Sequence, residues 1–325
     1  MKITTSQKII DYIGKNGQAG GSELADYLDL TDRAIRKQLN KLLEAGKVSK
    51  IGRPPKVFYL LESKKEERAE INIDGKIKKI IDEKFIIITP AGEKKEGWLG
   101  FVYWCEKNKL PVVKTVEEYL KTLKKYDNFK KDGLIDGMFK IKHTFKQVGL
   151  DKIFYVDFYS IERFGKTRLG QLLLYAKQSQ NKKLIKEIVK MIKPAVDKII
   201  KRYKVDGIGF IPPTVKREVQ LMKVLEAGLN ENLRKVAITK VKTAVAVPQK
   251  TLNKLEDRVE NARNTIVVEE NKVFKNILLI DDAVGSGATL NETAKKIKIK
   301  KICQGKIIGL AIAGSFKGFE VISEV

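Results

Sequence analysis

Four apolar residues in a row, Ile277-Leu278-Leu279-Ile280, run directly into two carboxylates, Asp281-Asp282, and then into Ala283-Val284-Gly285-Ser286-Gly287-Ala288-Thr289. An unbroken apolar run of this kind predicts a strand buried on both faces of a parallel sheet. The aspartates then sit at its carboxyl end, where open α/β sheets bind their ligands. Asn291-Glu292-Thr293-Ala294 begins a helical stretch, so the loop precedes a helix N-terminus, where backbone N–H groups favour a phosphate. Gly285 and Gly287 permit a tight turn and close backbone approach, and Ser286 and Thr289 add hydroxyl donors. Like charges repel, so the aspartates do not suit a phosphate. They suit ribose hydroxyls, or an Mg²⁺ that screens a neighbouring pyrophosphate.

This run resembles the signature of the type I phosphoribosyltransferases: apolar strand, Asp-Asp, two small or apolar residues, Thr-Thr-Gly-Ala-Thr. Gly285-Ser286-Gly287-Ala288-Thr289 occupies the last five positions. The resemblance implies that Asp281 and Asp282 hold the ribose 2′ and 3′ hydroxyls of phosphoribosyl pyrophosphate, with Mg²⁺ carried by the ligand. It also implies that Ala283, Val284 and the five residues after them cradle the 5′-phosphate.

The 325 residues leave room for two or three domains, each with its own core. No apolar run reaches the roughly 18 residues of a membrane span, and the N-terminus has none long enough for a signal peptide, so a cytoplasmic location is expected. Two cysteines, Cys105 and Cys303, are too few for a disulfide framework or zinc ribbon, and the one histidine, His143, lies in a polar stretch and reads as a surface residue. Chemistry is therefore left to carboxylates, lysines, backbone dipoles and Mg²⁺. The net charge of +25 invites a nucleic acid, but the excess is spread along the chain: 11 basic against 7 acidic residues in 1–63, 20 against 14 in 64–150, and 34 against 19 in 151–325. It supports DNA binding without localising it.

Residues 1–63 read as three helices and a hairpin. Thr5 or Ser6 is placed to cap a helix carrying Ile9, Ile10 and Ile13 and stopped by Gly17, and Ser22 to open a second with Leu24 and Leu28. Thr31 or Asp32 is placed to cap a third with Ile35, Leu39, Leu42 and Leu43 inward, ended by Gly46. Its opposite face presents Arg33, Arg36, Lys37, Asn40 and Lys41. Val48–Ile51 and Val57–Leu60 pair around Gly52-Arg53-Pro54-Pro55-Lys56. The whole of 3–62 resembles a winged helix-turn-helix DNA-binding domain. That implies a third helix in the major groove of duplex DNA, with Arg33, Arg36, Lys37 and Asn40 meeting bases or phosphates, and Arg53 and Lys56 of the wing reaching phosphates or a minor groove.

Ser63–Glu70 is a charged connector into a small α+β segment, 64–150, that serves as linker or hood and resembles no family. Phe85–Pro90 predicts a strand, and Thr115-Val116-Glu117-Glu118 a capping box that opens a helix. The aromatic stretch Gly97–Trp104 reads as core rather than as a base-stacking platform.

From 151 the pattern is α/β. Strands are expected at Phe154–Phe158, Gly207–Ile211 and Thr243–Val247, and at Lys306–Ala313 to close the sheet, with the acid-bearing strand coming after Thr265–Glu269. Helical stripes run through 172–177, 184–203 (broken or kinked at Pro194) and 221–229. Two further pieces resemble the ComF branch of the family. Ile211-Pro212-Pro213-Thr214-Val215-Lys216-Arg217 is similar to its Val-Pro-Leu-His-Pro-Lys-Arg loop, which implies that Lys216 and Arg217 face the pyrophosphate. Pro248-Gln249-Lys250-Thr251-Leu252 with Arg258 and Asn261 is similar to its Gln-x-x-Leu, Arg and Asn pattern, which implies a mobile loop over the site. Resemblance covers 151–325 and implies a type I phosphoribosyltransferase fold with a central parallel sheet. The chain departs from that branch twice. The four-cysteine ribbon is absent and a winged helix stands in its place, and the Arg-Gly-Phe-Asn stretch after the basic loop is Leu221-Met222-Lys223-Val224 here.

A winged helix joined to a phosphoribosyltransferase fold resembles the purine repressors of Gram-positive bacteria. The expectation is a DNA-binding regulator, a dimer by default, whose second domain senses phosphoribosyl pyrophosphate or a related nucleotide. The alternatives are an active Mg²⁺-dependent phosphoribosyltransferase, with Lys216, Arg217, Asp281 and Asp282 as its catalytic groups, and a ComF-type competence or DNA-handling factor.

Overall fold

The computed structural model describes residues 4–62 and 73–315 except Lys216, Asn230, Glu231, Lys242 and Ala246, and leaves out the side chains of Arg53 and Lys250. Contacts divide the chain into two units, 1–72 and 73–325.

In the first unit, the Thr4 side chain accepts from the Gln7 N–H and starts α1 (Thr5–Asn16), which Gly17 ends at φ 78°. The expected caps, Thr5 and Ser6, lie inside the first turn instead, and the Ser6 hydroxyl donates to Gln38 at 2.9 Å. Strand β1 (Ala19–Gly20) leads into α2 (Gly21–Leu28), where the Glu23 carboxylate accepts from the Gly20 N–H and leaves Ser22 within the helix. Thr31 caps α3 (Asp32–Glu44) by accepting from the Ala34 N–H. Ile35, Leu39 and Leu42 share one face of α3 and close over Ile9, Ile13, Leu24 and Val48. Strands β2 (Val48–Arg53) and β3 (Lys56–Leu61) form an antiparallel hairpin, and β1 adds to the other edge of β3. At the hairpin turn Gly52 has φ 86°, and a Cβ there would lie 2.3 Å from the Lys56 carbonyl oxygen, so the turn requires glycine.

The second unit begins with α4 (Gly75–Lys84), the hairpin β4 (Ile86–Ile88) and β5 (Lys94–Glu96), α5 (Gly97–Lys107) and α6 (Val112–Asp127). Strands β6 (Lys130–Lys131) and β7 (Leu134–Asp136), α7 (Met138–Thr144), β8 (Lys152–Phe158), α8 (Arg168–Ser179), α9 (Lys182–Tyr203) and β9 (Gly207–Phe210) follow. The rest is α10 (Leu221–Leu229), β10 (Arg234–Lys235), β11 (Ile238–Lys240), α11 (Leu255–Thr265), β12 (Ile266–Val268), β13 (Ile277–Val284), α12 (Ala288–Ile299) and β14 (Ile307–Gly314). The unit is α/β, and its sheet runs β10-β9-β13-β14-β8-β7-β6, parallel from β10 to β8. Strands β7 and β6 join through antiparallel pairings.

Alternation along β13 shows why its apolar run has no polar member. Leu278 and Ile280 enter a cluster with Leu172, Ile188 and Leu225 of α8, α9 and α10. Ile277 and Leu279 enter the opposite one, with Leu290, Ala294 and Ile297 of α12. Each such buried side chain contributes roughly 1.5–3 kcal/mol, so a polar residue on either face would cost heavily.

Several sequence expectations are corrected here. The sheet crosses position 150, where the sequence places a boundary: Ile135 and Asp136 pair with Tyr155 and Phe154. The strand expected at 306–313 is present as β14, and it lies inside the sheet between β13 and β8. Thr115 does not open its helix. Pro111 is the cap, α6 starts a turn earlier, and the Thr115 hydroxyl donates back to the Pro111 carbonyl at 2.7 Å. The strand expected at 243–247 is instead Ile238–Lys240, which takes the antiparallel place beside β12. Val245 is 73% exposed, and Ala246 of that run lies outside the described residues. Helix α9 runs through Pro194 as one element. The aromatic stretch is core: Phe101 is fully buried, its ring 5.1 Å from Phe85 and 5.2 Å from Tyr119.

Candidate functional site

Strand β13 has parallel neighbours on both sides, so its carboxyl end opens mid-sheet, where adjoining segments converge. Asp281 and Asp282 are still part of the strand there. The Asp282 N–H donates to Asp281 Oδ1 at 2.8 Å, and Asp282 Oδ2 lies 2.7 Å from the Lys177 ammonium in the last turn of α8. Burial, and then the Asp282 charge, push the Asp281 carboxyl from 3.8 up to about 7; the Asp282 N–H and the charges of Lys177 and Lys240 pull the other way.

That shift fixes a sign for stability. Between the ordinary carboxylate value and about 7 the folded protein holds a proton that the unfolded chain has lost, so stability falls as pH rises through that window. Asp281→Asn removes the loss. Its melting temperature is expected to exceed that of the parent by a few degrees at pH 8, with the gap narrowing as pH falls toward 4. Melting curves of both proteins across this range check it, and a gap independent of pH would count against a carboxyl whose pKa is raised by desolvation.

Two lysines that no motif marks complete the surroundings. Lys240, the last residue of β11, donates to the Thr214 hydroxyl at 2.6 Å, and the Asp281 charge acts on it. Lys177 bridges to Asp282 while its carbonyl accepts from the Arg217 guanidinium. Sequence reasoning missed both because a lysine-rich chain offers no spacing that singles them out. Of the expected basic pair, Arg217 is brought to the end of α8, where its guanidinium donates to the Lys177 carbonyl. Lys216 lies outside the described residues.

The loop after the acids turns through Gly285, Ser286 and Gly287 into α12, with Ala283 and Val284 still in the strand. Gly287 takes the N-cap position at φ 86°, and a Cβ on it would lie 2.3 Å from Ile141 Cδ1 of α7. The Ser286 hydroxyl is buried and accepts from the Ala288 N–H at 3.3 Å, so it shapes the turn as well as lining it. Ala288 is buried, and Gly285 and Thr289 are half-buried. The first-turn N–H groups of α12 have no carbonyl one turn back to bond, which leaves the helix start attractive to an anion.

Gln249, Arg258 and Asn261 meet, but on one another. Gln249 Nε2 donates to the Arg258 carbonyl at 2.9 Å and to Asn261 Oδ1 at 3.1 Å, while Arg258 Nε donates to the Leu252 carbonyl at 2.6 Å. These bonds tie segment 249–252 to α11.

In the first unit Arg33, Arg36, Lys37, Asn40 and Lys41 are all exposed, on the side of α3 away from Ile35, Leu39 and Leu42, and Lys56 of the hairpin is exposed too. The Arg53 side chain lies outside the described residues. His143 is a surface residue whose ring lies 4.0 Å from that of Phe139. Among the described residues no helix is long and apolar enough to cross a membrane, and no group of three or more His, Cys, Asp or Glu is placed to hold a metal ion. No protein-family model matches the chain, and no curated protein matches it.

Proposed function

We propose that the chain is a DNA-binding regulator whose α/β unit has a phosphoribosyltransferase-type fold and binds phosphoribosyl pyrophosphate, or a related ribose phosphate, as effector. One observation carries the reading: an acid pair and a glycine turn into a helix start follow the apolar run of a mid-sheet strand, with Lys177 on Asp282, the Lys240 charge acting on Asp281, and Arg217 on the Lys177 carbonyl. Acids take ribose hydroxyls, the turn takes the 5′-phosphate, and the cations take the diphosphate. Mg²⁺ fits as a passenger on the diphosphate, since an ion of this kind needs only one or two protein carboxylates beside phosphate oxygens.

The exposed cations of α3 and Lys56 support duplex DNA as the partner of the first unit. Sensing is favoured over turnover by the stretch after the basic loop. Leu221 and Met222 are buried in the hydrophobic cluster under the sheet and Val224 packs at its margin, so these side chains serve the core. The test is a thermal shift with phosphoribosyl pyrophosphate and Mg²⁺. A site ligand at a hundred times its Kd adds about 2.7 kcal/mol to stability. A melting temperature unmoved at millimolar ligand counts against the site.

A further inference from the structure

Lys177 belongs neither to the acid-and-glycine stretch nor to the basic loop, yet it is joined to both. Its ammonium is 2.7 Å from Asp282 Oδ2, with the two side chains 29% and 19% exposed. Its carbonyl accepts from Arg217, and three residues on, Gln180 Oε1 accepts from the Val219 N–H at 2.9 Å. The end of α8 therefore touches both Asp282 and the segment Arg217–Val219. A cation in a last helical turn is also held by the carbonyl end of the helix dipole.

This arrangement means that Asp282 already has a counter-ion. A ribose hydroxyl that donates to it must displace or share the ammonium, and a part-buried ammonium left without an anion is costly. A sugar carrying only a 5′-phosphate offers the displaced lysine no replacement, because that phosphate belongs at the turn before α12. A diphosphate on the α face of the anomeric carbon lies on the same side of the ring as the 2′ and 3′ hydroxyls. It presents an anion where the lysine is released.

We propose that Lys177 is the specificity-determining residue of the site: it neutralises Asp282 in the free protein and passes to the diphosphate of the ligand. Lys177 thereby makes the site select a ribose 1-diphosphate over a ribose monophosphate. The inference rests on reading 281–289 as a ribose phosphate site and adds to that reading the residue that tells the two ligand classes apart.

The experiment titrates phosphoribosyl pyrophosphate with Mg²⁺, and separately ribose 5-phosphate, into the full-length protein and its Lys177→Met, Lys177→Gln and Lys177→Arg variants by calorimetry. Melting curves of each free protein report folding. Lys177→Met and Lys177→Gln are expected to lose about tenfold or more in affinity for the diphosphate, the worth of one charge-assisted hydrogen bond. Ribose 5-phosphate is expected to bind them as well as the parent or better, and Lys177→Arg to keep most of the preference. An unchanged ratio of the two affinities, or equal loss for both ligands in folded variants, overturns the inference and leaves the ribose phosphate site standing. Failure of the parent to bind either ligand sinks both.

Discussion

Asp281→Asn combined with Asp282→Asn is expected to weaken binding of phosphoribosyl pyrophosphate by about 100-fold or more, since two charge-assisted hydrogen bonds to ribose disappear together. The fold should survive. Both side chains lie in β13 beyond the apolar run that holds the sheet, and an uncharged amide in place of the half-buried Asp281 carboxyl removes the desolvation cost that raises its pKa. Inorganic pyrophosphate should behave in the opposite sense. It needs no ribose contact, and loss of the Asp282 charge frees the Lys177 ammonium now 2.7 Å away. Calorimetry with both ligands checks the pair of effects. Equal weakening of pyrophosphate and of the full ligand would mean that the acids hold the site's shape and not the sugar.

DNA binding should fail through α3. Arg33, Arg36, Lys37 and Lys41 are exposed on one face, opposite a buried stripe that fixes the orientation of the helix. Full-length protein is expected to retard duplex DNA with an affinity that falls steeply with salt, because each neutralised phosphate releases counterions. Arg36→Ala with Lys37→Ala should weaken binding by roughly 100-fold at low salt and reduce the logarithmic salt slope by about 2, one unit for each phosphate that is no longer neutralised. The exposed positions leave stability untouched, so melting temperature separates a weakened interface from a damaged fold. A doubly substituted protein that binds duplex as before would place the nucleic-acid surface elsewhere or remove it.

The parts of this fold that can be read from sequence are those where one physical demand dominates. Ile277–Ile280 could be placed because burial on both faces leaves no room for polar alternation, and the Ile35, Leu39 and Leu42 stripe because one face of α3 is core. The cap of α3 was legible only as Thr31 or Asp32, since either side-chain oxygen precedes the periodic run, and the structure uses Thr31. Short pieces were not. β7 is three residues long and gains its place only from pairing with β8, a partner that no local pattern announces. α5 carries Phe101 and Cys105 at helical spacing, but its glycines and aromatics obscure the period. In the site, the contiguous acids and turn were legible, since their chemistry lies in adjacent residues. Lys177 and Lys240 were not, because they reach Asp282 and Thr214 from distant elements through tertiary packing.

Ligand sensing and DNA binding in one chain require coupling, and coupling is reciprocal. The most direct measurement is the affinity of the full-length protein for a duplex selected against it, with and without saturating phosphoribosyl pyrophosphate and Mg²⁺, alongside assay of pyrophosphate release with adenine, guanine, hypoxanthine, xanthine, uracil and orotate. A regulator of the proposed kind shows a change of about 5- to 150-fold in DNA affinity, the usual range of allosteric coupling, the same factor in ligand affinity when DNA is added, and no release. DNA affinity indifferent to the ligand, together with steady release on any of these bases, would contradict it and make the chain a transferase.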